Sequence, residues 1–315
     1  MPLFFLILAS ALWGLSFPLM KALNLEQTAR MPEASSVFLS SWLQCARFLC
    51  ATLLLLPFVL RRNAINQKEF SQGLQLAFWG GLAMWLQADA LAYTDASTSA
   101  FLTQAYCVIL PLWACIRLRK LPAARVIFAT IFVIAGCAIL SGFSFVNMRM
   151  GRGEIETLLA AFLFTFQILT LENPKYQNNR GMPVTVMMFA GIALLFVPIT
   201  GLVAPNFDAC LQAGASIPSM VIVLLLALPC SAGAYLLMNI WQRRVSATEA
   251  GLIYTMEPVF TAAYVLFMPA MLGVFIGVDY QNESFTFSLS VGGGLILVAN
   301  LLMQWKSKPH LPPVG

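Results

Sequence analysis

Arg47, Asp89 and Glu257 are charged side chains set inside long runs of apolar residues. A charge held at the centre of a bilayer costs about 2.5–3.5 kcal/mol on insertion scales, and less near the interfaces. Arg47 and Gln44 are three residues apart and share a helical face. A guanidinium there suits a carboxylate or phosphate, gripped in a forked geometry. It would equally serve as a structural cation that caps carbonyls or pairs with Glu257. Glu257 precedes Pro258, whose missing N–H loosens a helix. Such a carboxylate is a candidate proton carrier, or a permanent counter-charge to Arg47. Asp89, in the outer third of its run, is the second proton-coupling candidate.

Other polar and aromatic residues recur at helical spacing around these three. Trp85, Asp89 and Tyr93 are four apart, as are Ser231, Tyr235 and Asn239. Two such stripes could form opposite walls of a cavity, or the aromatics could anchor at the membrane interface. Tyr254, Glu257, Thr261 and Tyr264 lie on one side, and Gln104 shares a face with Cys107. Trp13 with Ser16, and Gln167, complete the set. The candidate substrate-binding residues are Trp13, Gln44, Arg47, Trp85, Asp89, Gln104, Tyr235, Asn239, Tyr254 and Glu257. Each alone could instead be a helix–helix hydrogen bond. Gly80-Gly81 and Gly292-Gly293-Gly294 read as close-packing positions, the latter also as a dimer face; monomer and homodimer both fit.

Several chemistries find no support. The single histidine, His310, lies in a polar, Pro-rich tail, so the commonest metal ligand and general base is missing from the apolar runs. Seven cysteines, six inside apolar runs and without a C-x-x-C pair, read as small hydrophobes rather than a disulfide frame or metal site. No nucleotide-binding G-x-x-x-x-G-K-[ST] loop and no H-E-x-x-H motif occur. No cofactor, no metal and no catalytic residue are expected.

The elements that must position these residues follow from composition. Hydrophobic residues make up 60% of the chain, charged residues 10%, and the mean hydropathy is +0.81. Such a surface must face lipid, not water. The net charge of +5 comes from short basic clusters, too few for nucleic-acid binding. A bilayer core needs roughly 20 apolar residues per helix. About ten segments qualify, near 3–20, 38–60, 73–93, 97–116, 124–142, 154–172, 183–203, 218–241, 247–270 and 286–304. With no basic residue before Lys21 and with bulky Trp13 and Phe17, the first reads as a retained helix rather than a cleaved signal. Turns near Asp95 and Val245-Ser246 demand antiparallel hairpins. With the N-terminus inside, 13 basic residues fall in inner loops and the tail, and 4 in outer ones (Lys21, Arg30, Arg149, Arg152). The positive-inside rule then predicts both termini cytoplasmic, in a plasma (bacterial inner) membrane.

Five helices per half would insert the second half upside down relative to the first. A shift of 150 residues aligns Leu86, Thr98, Ala100 and Leu102 with identical residues at 236, 248, 250 and 252. It also places Trp85 on Tyr235 and Asp89 on Asn239. The expected organisation is an all-α integral membrane protein of two inverted five-helix repeats, 1–146 and 147–305, with a short tail at 306–315.

Four stretches resemble the EamA branch of the drug/metabolite transporter superfamily. A-L-W-G-L-S-F-P (11–18) is similar to that family's opening A-x-W-G-x-x-F, and C-A-R-F-L (45–49) to its second-helix motif. A-Y-L-L-M-N-I-W (234–241) and R-R-V-S-A-T-E-A-G-L-I-Y-T-M-E-P-V-F (243–260) resemble its eighth and ninth regions. Many members carry a Gly-Glu pair after helices four and nine; here those places read I-R-L-R-K-L (116–121) and M-P-A-M-L-G (268–273). The resemblance implies a central cavity lined by helices 1–4 and 6–9, with 5 and 10 peripheral.

The function expected is secondary transport of a small metabolite, an amino acid or related amphipathic solute, by alternating access and in the direction of export. The partners would be that small-molecule substrate and the lipid bilayer. A membrane-embedded enzyme acting on a lipid-linked substrate would need clustered Asp, His or Cys at the surface, and a non-transporting scaffold would need a sizeable exposed segment. Neither feature is present; the longest loops, 21–37 and 271–285, are short.

Overall fold

The computed structural model describes residues 2–61, 65–119, 121, 124–140, 150–171, 173–245 and 253–304. Each of the ten apolar stretches is helical over its described part apart from short turns, and no strand occurs among the described residues. In the absence of water, backbone groups must be satisfied within the segment, and a helix does this locally. The protein is an all-α membrane protein.

The first half contains α1 (Pro2–Arg30), α2 (Ser36–Leu60), α3 (Gln67–Ala90), α4 (Ala96–Thr103), α5 (Tyr106–Leu118) and α6 (Ala124–Leu140). The second contains α7 (Arg152–Leu171), α8 (Gly181–Val203), α9 (Phe207–Gln212), α10 (Ile217–Ala227), α11 (Ala234–Trp241), α12 (Met256–Val265), α13 (Met268–Ile276) and α14 (Phe287–Gln304). A π-helical turn, Leu228–Gly233, joins α10 to α11 in one 25-residue span.

Four expectations are corrected. Lys21 and Arg30 do not lie in a loop, because α1 runs unbroken to Arg30 and reaches well past one bilayer core. The fourth span is not continuous: it stops at Thr103 and restarts at Tyr106. The ninth restarts at Met256, so Glu257 sits in a first turn rather than mid-helix. There Pro258 does no harm, since first-turn N–H groups have no partner within the helix. The expected loop 271–285 is partly helical: α13 continues from α12 across a bend of 59°. Of the 243–260 motif, residues 246–252 lie outside the described residues, as do Lys120, Arg149, the 306–315 tail and His310.

Element boundaries recur at a separation of 150. Helices begin at Pro2 and Arg152, at Gln67 and Ile217, and restart at Tyr106 and Met256. Packing follows the same correspondence. α3 packs on α7 as α10 and α11 pack on α1, while α2 lies on α8 and α6 on α14. α5 meets α7, and α12 meets α1.

Candidate functional site

The centre of the molecule is set by a close crossing of α1 and α12. A Cβ placed on Gly14 would come within 2.9 Å of the Glu257 carbonyl oxygen, so only glycine permits this approach. The Thr261 hydroxyl donates to the Gly14 carbonyl at 3.2 Å. The A-L-W-G and E-P-V-F stretches, 243 positions apart from Gly14 to Glu257, thus meet halfway along α1.

Beside this crossing, Trp13 packs edge-on against both Tyr235 (ring centroids 5.3 Å) and Tyr254 (5.4 Å). Tyr235 also meets Phe189 at 5.8 Å, and Phe189 meets Phe48 at 5.2 Å. Aromatic pairs favour these edge-on and tilted arrangements. The Tyr235 hydroxyl donates to the Met84 sulfur at 3.2 Å, and that of Tyr254 to the Gln242 side-chain oxygen at 2.9 Å. Trp85 packs on Phe196 at 5.9 Å and borders the same cluster.

Arg47 is buried and does not pair with Glu257. Its Nε donates to the Ser231 hydroxyl at 2.5 Å, Nη1 approaches the Met20 sulfur at 3.6 Å, and the guanidinium lies 5.2 Å from the Phe48 ring centre. No carboxylate stands within ion-pair distance of it among the described residues. Ser231 belongs to the π-turn and donates in turn to the Leu226 carbonyl at 2.8 Å, five residues back. Pro229 supplies the sequence signal for this turn, because it has no N–H to continue the regular ladder. Sequence reasoning placed Ser231 on the Tyr235 stripe but gave it no role; holding Arg47 is its role here.

Glu257 is partly accessible, and its carboxylate has no hydrogen-bond or ion-pair partner among the described residues. It lies within electrostatic reach of Tyr106, Cys107, Tyr235 and Tyr254. Tyr235 is within the same reach of Arg47. Nine buried side-chain polar atoms lack partners among the described residues, and four of them belong to candidate residues: Trp13 Nε1, Trp85 Nε1, Gln104 Nε2 and Gln44 Oε1. Each such orphan costs about 1–3 kcal/mol in a sealed interior. Four gathered among the candidate residues describe a surface suited to a polar guest.

Asp89 and Asn239 stand apart from this centre. Asp89 pairs with Arg152 at 2.5 Å and accepts from the Ser40 hydroxyl at 3.2 Å, near the start of α7. Tyr93, half exposed, stacks beneath the same guanidinium at 4.3 Å. Asn239 donates to the Thr185 hydroxyl at 2.6 Å, near the start of α8. Since α7 and α8 run antiparallel, these two residues occupy opposite ends of the molecule. Gln44 donates to the Met84 carbonyl at 3.0 Å, and Gln104 accepts weakly from the Cys107 thiol at 3.8 Å. Among the described residues, no group of His, Cys, Asp and Glu could hold a metal ion.

Residues 1–142 match the model of the EamA-like transporter family, a stretch that holds both first-half motifs. A protein of Archaeoglobus fulgidus named as an uncharacterized transporter is 25% identical over 257 residues, covering 81% of this chain and 74% of that one. One solved crystal structure shares the fold, with a TM-score of 0.54 at 13% identity over 93% of this chain and 96% of the other.

Proposed function

We propose that this EamA-type chain is a secondary transporter that moves a small amphipathic solute through a site between its two halves. The coarse reading, a membrane transporter, is supported by the family match and by the related protein's name. The finer reading rests on one observation. Two spans restart 150 residues apart, at Tyr106 and Met256, and leave Cys107 and Glu257, each next to its restart, within electrostatic reach of each other. Interrupted helices at matching places in two halves mark the binding site in many transporters, because the break supplies polar groups at mid-depth.

The site offers one fixed cation, one carboxyl group and aromatic rings within electrostatic reach of them. A solute with an anionic group near Arg47 and a cationic or hydroxyl group near Glu257 would satisfy both charges at once. An amino acid or a related metabolite has that pattern. Asp89, already held by Arg152, is a poorer proton carrier than the unpaired Glu257. The recurrence of boundaries at 150 and the matched packing favour two inverted repeats, 1–146 and 147–305, that rock about this centre.

Purified protein reconstituted in liposomes tests this. Flux of amino acids and related solutes is expected, stimulated by a proton gradient and made gradient-independent by Glu257→Gln. Flux unchanged by that substitution would remove the coupling role. A panel of anionic, cationic and zwitterionic solutes that neither move nor shift the melting temperature would remove the site.

A further inference from the structure

The separation of 150 also relates two polar clusters at opposite ends of the molecule. Arg30 ends α1, and Arg180 immediately precedes α8. Ser216 caps the first turn of α10 by accepting from the Ser219 backbone N–H at 3.0 Å. Asn66 caps the first turn of α3 by accepting from the Glu69 N–H at 2.8 Å. All three pairs, 30 with 180, 66 with 216 and 69 with 219, obey the same shift.

In both clusters the arginine of one half reaches the capped helix start of the other. Arg30 Nη2 donates to the Ser219 hydroxyl at 3.1 Å, and Nη1 to the Gln212 carbonyl at 2.7 Å. Arg180 Nε and Nη2 grip Glu69 with two bonds of 2.7 and 2.9 Å. The carboxylates differ in origin. Glu69 belongs to the gripped helix, whereas Glu26, four residues before Arg30, comes from the arginine's own helix. Glu26 binds Arg30 at 2.5 Å and accepts from the Ser216 and Ser219 hydroxyls at 2.6 Å each. Glu26, Glu69 and Ser219 are all buried.

We propose that these clusters are two equivalent latches, one at each membrane face, that hold the halves together at that face. Loss of the Arg180–Glu69 latch lets the halves part on its side, and loss of the Arg30 latch on the other. The two are unequal in chemistry. Among the described residues, every bond that the Glu69 carboxylate accepts across the halves comes from Arg180, beside which Asn179 also donates to Gln72 at 2.8 Å, while at the Arg30 end Glu26 still binds two hydroxyls after the arginine is lost. The Arg180 end is therefore the more easily opened by a single charge change. This rests on the two-halves reading above, although its test reads accessibility rather than flux.

Cys107, within electrostatic reach of Glu257, serves as the reporter in a version that keeps it as the sole cysteine, reconstituted in oriented liposomes. A membrane-impermeant maleimide is added to one face at a time. Glu69→Gln keeps the capping geometry, since glutamine fills that position in a capping box, but removes the ion pair. It is expected to raise labelling from the Arg180 face roughly tenfold and leave the other face unchanged, as a shift in the open population. Arg30→Gln is expected to raise labelling from the Arg30 face by a smaller factor, and Arg30→Gln with Ser219→Ala by more. Labelling that rises equally from both faces, or from neither, overturns the latches, and a melting temperature held near the parent's separates opening from unfolding. One-sided labelling in a protein that moves no tested solute would keep the latches and sink the transport reading. Flux with unaltered labelling would do the reverse.

Discussion

Gly14 and Glu257 are in backbone contact, with room at Gly14 for a hydrogen but not for a methyl group. Phe260 Cβ and the Thr261 backbone nitrogen would stand only 3.0 Å from an added Cβ, so neighbouring backbone as well as side chain would have to move. The crossing fixes where the Glu257 carboxylate points and how Trp13, the next residue, meets Tyr235 and Tyr254.

Substitution at this contact has a defined outcome. Gly14→Ala is expected to cost about 1–3 kcal/mol, the usual range for overpacking. Gly14→Val should prevent accumulation of folded protein. Melting temperature in detergent and flux in liposomes should fall together, since the same contact orders the site. An alanine variant with parent-like melting and flux would show that α1 and α12 are not so close.

Arg47 gives the opposite balance of stability and binding. Its guanidinium faces a hydroxyl, a sulfur and a ring rather than a carboxylate. Taking an ion out of water carries a desolvation penalty of roughly several kcal/mol, and no counter-ion offsets it here among the described residues. Arg47→Met should therefore melt at or above the parent temperature while losing the melting shift caused by anionic or zwitterionic solutes. Arg47→Lys keeps the charge but not the fork, and should weaken that binding about tenfold. A Met variant that unfolds would mean the arginine is structural.

Glu283 sets a pH dependence outside the spans. Asp95 does not cap α4 with its own side chain. Glu283, from the connection between α13 and α14, does so instead. It accepts from the Ala96 backbone N–H at 3.0 Å and from the Ser97 hydroxyl. Burial pushes its carboxyl above the ordinary value, against the Ser97 hydrogen bond; Asp95 adds to the rise and Lys21 opposes it. A carboxyl raised in the folded state takes up its proton before the unfolded chain does as pH falls. Stability from this group is thus greatest in acid and is lost as pH rises through the folded value. The parent's melting temperature should rise relative to that of Glu283→Gln on acidification from neutral pH towards the ordinary carboxylate range. Parallel curves for the two proteins would remove this assignment.

Much of this was legible in the residues. Apolar runs of 20 residues have one solution in lipid, so the helical spans and their antiparallel hairpins followed from length and composition alone. Arg47, Glu257, Trp13, Tyr235 and Tyr254 stood out for the same reason: polar groups in hydrocarbon are costly and rare. The 150-residue relation is faint as identities, since helix boundaries can recur where side chains do not. Helix starts fall at 2 and 152, 67 and 217, and 106 and 256.

Which polar groups meet was decided by tertiary structure. The sequence marks Arg47 and Glu257 as opposite charges at similar depth, yet Arg47 goes to Ser231 on a π-turn and Glu257 stays unpaired. Asp89 looked equivalent to Glu257 until Arg152 was found against it. Periodicity fixes the face a side chain occupies on its own helix. The partner across from that face depends on the rotation and crossing of separate helices, which packing at positions such as Gly14 settles only once the chain has folded.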